Sequence, residues 1–144
     1  MSLRLNYRSL ILDVSEEQNG EPANHAGSSL IWEFGVSYRT FMDCDDNAVD
    51  LTFERWEHII EGHPIMDGFE KLLGVVLQNP DVRTVNPVNG RSCFYRRNVH
   101  PDAPSDFVKV VVEYKPHLDA FIGRIITAFP AERIQAGEHV TWTK

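Results

Sequence analysis

Cysteine, long apolar runs and positive charge are all scarce in this chain, and each shortage removes a class of protein. Cys44 and Cys93 are the only cysteines in 144 residues. They are too few and too far apart for a disulfide scaffold or a zinc finger, so both are expected as free thiols. No stretch approaches the roughly 20 apolar residues of a membrane helix. The N-terminal MSLRLNYRSLILDVSEEQNG lacks the uninterrupted apolar segment and cleavage site of a signal peptide. The expectation is a cytoplasmic protein with no membrane partner. There is no glycine-rich phosphate loop, no G-x-S-x-G nucleophile elbow and no H-E-x-x-H zinc site.

Lys and Arg number 14 against 21 Asp and Glu, a net charge of −7, which argues at first against a polyanionic partner. The distribution matters more than the total. From Met1 to Glu70 four basic residues face fourteen acidic ones, whereas from Lys71 to Lys144 ten basic face seven acidic. Between Val82 and His100 stand Arg83, Arg91, Arg96 and Arg97 with no acidic residue, a locally electropositive stretch. A small anionic target therefore remains open.

What is present is enough for one domain with a sizeable core, and neither an internal repeat nor a low-complexity segment interrupts it. Phe53, Trp56, Ile59, Ile60 and His63 recur at helical spacing, with Arg55, Glu57, His58 and Glu61 on the opposite side. Thr52 is placed to cap this helix. Gly62 and Pro64 close it at Glu61 or Gly62 and leave His63 at its C-terminus on the buried side. A second helix is expected from Met66 to Gln78, stopped by Asn79-Pro80-Asp81. The first fifty residues read as β-structure: Leu10 to Val14, Leu30 to Phe34 and Val36 to Met42 as strands, a polar loop from Glu16 to Ser28, and a turn at Asp43 to Asn47 leading into a strand ending at Leu51. After Pro80 the period becomes two. Val82 to Val88, Ser92 to Arg97, Phe107 to Lys115 and Ala120 to Phe129 are expected as an antiparallel meander, with Val108, Val110 and Val112 turned toward the helices. The fold expected is α+β: two helices followed by a four-stranded antiparallel sheet, with an N-terminal β-hairpin extension.

Five segments in order carry a resemblance: W-x-H-I-I-x-x-H-P (Trp56 to Pro64), L-x-N-P-D (Leu77 to Asp81), F-Y-R-R (Phe94 to Arg97), V-K-V-V-V (Val108 to Val112) and G-R-I-I-T-A-F (Gly123 to Phe129). Together they resemble phage- and toxin-associated domains of the barnase/EndoU/colicin/RelE-like (BECR) nuclease superfamily, over about Leu51 to Glu138. The resemblance implies residues 51–144 as a nuclease-like core; residues 1–50 lie outside it and are read from their strand pattern as a β-extension of the same domain. The resemblance further implies metal-independent ribonuclease activity without a cofactor, RNA as partner, and the possibility of an antitoxin or immunity protein.

RNA cleavage by transesterification needs a base for the 2′-hydroxyl proton, an acid for the leaving oxygen, and cations or donors around the phosphoryl oxygens. His63, His58 and Thr127 are the catalytic candidates, because imidazole titrates nearest neutral pH and a hydroxyl can donate to the phosphate. Tyr95, Arg96, Arg97 and Lys109 are the substrate-binding candidates, Arg being suited to bidentate phosphate contact. Each has a plainer reading. His63 can cap a helix, worth roughly 0.3–1 kcal/mol when charged; His58 can be solvated surface; the arginines can mark a strand end; Lys109 and Thr127 can be ordinary strand residues. Glu54, Glu57, His58 and Glu61 share helix faces at metal-ligand spacing, but a solvated acidic face is the simpler reading. His25, His100, His117 and His139 are assigned no role. The alternative function is a catalytically silent RNA- or protein-binding module of the same fold.

Overall fold

Thr52 is where a strand becomes a helix. Its backbone is still extended while its Oγ1 accepts the Arg55 amide at 3.1 Å, satisfying one of the amides that a helix start leaves without a partner. In this computed structural model, which describes residues 37–144, the chain enters through a hairpin of β1 (Ser37–Met42) and β2 (Ala48–Thr52). The Asp43 carboxylate closes their turn by accepting the amides of Asp45 and Asn47 at 2.9 and 2.8 Å, the local hydrogen bonding that suits aspartate to turns. The strands expected at Leu10 to Val14 and Leu30 to Phe34, and the loop between them, lie outside the described residues.

Helix α1 (Phe53–Gly62) buries Trp56 and Ile59 and ends with the His63 amide bonded to the Ile59 carbonyl. The second helix is shorter than its apolar pattern suggests. Pro64–Met66 forms one 3-10 turn, and α2 spans Glu70–Gln78. Gly68, at φ +86°, takes a left-handed conformation that no α-helix can continue through. Leu73, Val76 and Leu77 face inward from α2.

Strands β3 (Val82–Val85), β4 (Ser92–Arg97), β5 (Phe107–His117) and β6 (Ala120–Ala131) form the expected meander. The sheet itself differs from expectation: among the described residues it has seven strands, not four, and it is mixed, not purely antiparallel. Its order is β1-β2-β6-β5-β4-β3-β7. The hairpin joins through a short parallel pairing of Ala48–Asp50 with Ile122–Arg124. β7 (His139–Thr143) adds an antiparallel edge beside β3. All of its residues are exposed, so it carries none of the alternating burial that marks a strand in sequence.

Both helices lie on one face of the sheet. Val49, Leu51, Phe94, Val108, Val110, Val112, Ile125 and Ala128 meet Trp56, Ile59, Met66 and the inward face of α2 in one core. Each fully buried aliphatic contributes about 1.5–3 kcal/mol. A bulge in β6 sets the phase: Val112 pairs with Ile125 but Val111 with Thr127, leaving Ile126 as an extra residue. Ile125 and Ala128 therefore both face the helices, while Thr127 and Phe129 turn to the other side.

Candidate functional site

Among the described residues no helix lies on the face away from α1 and α2. Cys93 and Tyr95 on β4, Lys109 and Val111 on β5, and Thr127 and Phe129 on β6 project there, as alternation requires. The β6–β7 connection crosses it, Ile134 packing beside Cys93, Tyr95 and Phe107. At its end Glu138 drops into the sheet, its side chain only 2% exposed.

Glu138 is fully coordinated. Its Oε1 accepts from Thr84 Oγ1 at 2.7 Å and Tyr95 OH at 2.6 Å; its Oε2 accepts from Lys109 Nζ at 2.7 Å and, at 3.7 Å, from Cys93 Sγ. Lys109, 4% exposed, also donates to Gln135 Oε1 at 2.9 Å. Burial alone would raise the Glu138 pKa, but hydrogen bonds from Lys109, Tyr95 and Thr84 hold it below the ordinary carboxylate value. Burial likewise opposes the charge on Lys109, yet the bonds to Glu138 and Tyr95 leave its pKa raised. Burial and then the bond to Glu138 raise the Tyr95 hydroxyl, and burial followed by the Glu138 charge raises the Cys93 thiol. The result is a polar network in which Glu138 accepts from four groups and Lys109 is held between Glu138 and Gln135.

Beside this network lies a pocket of about 200 Å³. Val111, Ile126 and Phe129 supply its apolar part, Asn86, Asn89 and Arg91 line it from the β3–β4 turn, and Thr127, Gln135, Lys109, Cys93 and Glu138 complete it. The turn is shaped by side chains: Asn86 Oδ1 accepts the Val88 amide and Asn89 Oδ1 the Arg91 amide, both at 2.9 Å, with Gly90 at φ +73°. His63 does not line the pocket but touches one residue that does. Its half-buried ring stacks on Phe129 with centroids 4.9 Å apart and planes 28° apart. Because β2 pairs only with the first part of β6, the strand edge beyond Arg124 is left to the end of α1.

The sequence candidates divide accordingly. Thr127 and Lys109 line the pocket, Tyr95 lies beneath it, and His63 stands next to it through Phe129. His58 is exposed on α1, away from it. Arg96 faces the helices and donates to the Asn79 carbonyl at 2.6 Å. Arg97 lies over Phe107, 4.0 Å from the ring centroid, and donates to the Ser105 carbonyl. The electropositive stretch is thus dispersed, since neighbouring strand residues point to opposite faces: Arg83 pairs with Asp45 at 2.9 Å and only Arg91 joins the pocket, 3.9 Å from Glu113.

Sequence reading missed Glu138, Gln135, Asn86, Asn89 and Phe129. Asn89-Gly90 is visible as a turn, but nothing in the sequence says that the turn borders a pocket. Among the described residues, Glu54, Glu57, His58 and Glu61 of α1 included, no three His, Cys, Asp or Glu side chains converge as ligands. His100 is structural: its Nδ1 accepts the Asp102 amide, so Nε2 carries the proton donated to the Ile65 carbonyl at 2.7 Å. Among the described residues no helix is long and apolar enough to cross a membrane. No family model, curated protein or solved structure matches the chain.

Proposed function

We propose that the open face of the sheet binds RNA and, with His63, cleaves it as a metal-independent endoribonuclease of the phage or toxin type that the motifs resemble. The observation that carries this reading is the His63–Phe129 stack, which sets an imidazole against one wall residue of a pocket that Thr127 and Arg91 also line. In the reaction the 2′-oxygen forms a bond to phosphorus and the P–O5′ bond breaks. His63 takes the 2′-hydroxyl proton and, once protonated, can return it to the leaving oxygen. Thr127 and Arg91 donate to the phosphoryl oxygens as charge builds there, Arg91 taking the part first assigned to Arg96 and Arg97. Lys109 and Tyr95 act beneath the site, positioning β5 and β4 through Glu138.

The test is cleavage of mixed structured and single-stranded RNA by purified protein in EDTA. His63→Ala should lose activity by orders of magnitude while keeping its fold, and His58→Ala should retain it. Full activity in His63→Ala would remove the mechanism. One observation favours a second reading, a catalytically silent RNA-binding module: Lys109, the most buried cation of the face, is neutralised by Glu138. Salt-sensitive RNA binding without cleavage would select it. An antitoxin or immunity partner follows only from the resemblance.

A further inference from the structure

The amide side chains around the open-face pocket share a property that their residue types do not require. Asn86 and Asn89 spend their carbonyl oxygens on the turn's own amides, and Gln135 spends its oxygen on Lys109. What each has left for a ligand is an NH2 group with two donors, beside one remaining lone pair on an oxygen held by its present partner. Arg91 is donor-only by nature. The one carboxylate on the wall, Glu138, already accepts from Thr84, Tyr95, Lys109 and Cys93. The polar lining is therefore richer in free donors than in free acceptors, the Thr127 hydroxyl being able to act as either, around half-buried apolar side chains at Val111, Ile126 and Phe129. At about 200 Å³ the pocket is smaller than the roughly 300–1,000 Å³ that take a drug-sized ligand. One unstacked ring system is what the space and the aromatic wall suit.

We infer that this pocket is a base-recognition subsite for an acceptor-edged nucleobase, guanine through O6 and N7 or uracil through its carbonyl oxygens, in single-stranded RNA. Adenine and cytosine bring an exocyclic amino donor to the equivalent edge, where it would face mostly other donors and be paired less well. The inference rests on the open face being the RNA-binding surface and adds what that surface selects. A duplex is excluded as ligand, because its bases cannot enter a pocket of this depth without leaving the stack.

The test uses the wild-type full chain and fluorescein-labelled 2′-O-methyl oligoadenosine decamers with one central G, U, C or A, which lack the attacking hydroxyl and survive any ribonuclease activity. Fluorescence anisotropy should show the G or U decamer binding at least about tenfold tighter than the A and C decamers, the scale of one well-made base contact. Gln135→Glu keeps an oxygen for Lys109 but replaces the NH2 donor with an acceptor; it should erase most of that preference and leave the A and C decamers little changed. Equal binding of all four decamers, or preference for A or C, overturns the subsite while leaving the open face as an RNA-binding surface. No binding of any decamer overturns both. GMP or UMP binding as tightly as the matching decamer supports the base pocket but assigns it to mononucleotides, against the RNA reading.

Discussion

On one side of β5, Val108, Val110 and Val112 are fully buried beneath two helices; on the other, Lys109 is buried just as deeply beneath a connecting loop and is held by a carboxylate. The helix-covered face is stabilised by apolar area alone, which any residue of suitable size and shape supplies. The open face depends on a network in which each group is tolerable only while its partners stay. An apolar core is the simpler way to fill that space. That the chain instead buries an ion pair beside a pocket lined by Thr127, Arg91 and the Phe129 on which His63 stacks is what makes this face, rather than the better-packed one, the place to look for function.

The contrast can be broken most sharply at the ion pair. Glu138→Ala leaves Lys109 buried without its counter-charge and should cost about 3–5 kcal/mol in urea unfolding. The double change Lys109→Met with Glu138→Leu should recover the part of that loss owed to the stranded charge, though Thr84 and Tyr95 still lose their acceptor, and a double variant as unstable as the single one would mean that the charge is not at stake. Next comes the apolar face: Leu73→Ala should cost about 3 kcal/mol by emptying space between α2 and the sheet, with no dependence on pH.

The pH profile separates the faces further. Glu138 has a lowered pKa in the fold, so the stability it contributes is fully present above the ordinary carboxylate value, near 4.3 in the unfolded chain, and is lost as pH falls through the folded value. Lys109 has a raised pKa, so its contribution is present below the unfolded value, near 10.4, and is lost as pH rises through the folded one. Thermal unfolding followed from pH 3 to 8 should show an acid limb that is shallower in Glu138→Gln than in wild type. The same steepness in both would place the acid sensitivity elsewhere. The smallest effect is expected at the junction of hairpin and helix: Thr52→Ala removes the cap of α1 and should lower stability by about 1 kcal/mol.

The same contrast explains what the sequence could and could not convey. Trp56, Ile59 and the alternating valines of β5 announce their faces through spacing, because burial against a layer imposes a period. Ser92–Arg97 matches its expected bounds for the same reason. The failures have physical causes: Gly68 at positive φ cut the second helix short, the β6 bulge shifted the phase that decides where Thr127 points, and β7 has no buried face to betray it. The site was half legible. His63, Thr127, Lys109 and Tyr95 could be nominated from residue type and motif order, but Arg96 and Arg97 could not be separated from Arg91 without knowing which face each takes. Glu138 had no local signal, since its partners Lys109 and Tyr95 lie 29 and 43 positions away.

The most direct test of a functional open face is an NMR titration of the 15N-labelled chain with a single-stranded 2′-O-methyl RNA decamer. Amide shifts concentrated at Asn86 to Arg91, Thr127 to Phe129 and Gln135, with His63 at their border, are the expected result. Shifts confined to the outer surfaces of α1 and α2, or none at saturating RNA, would contradict it.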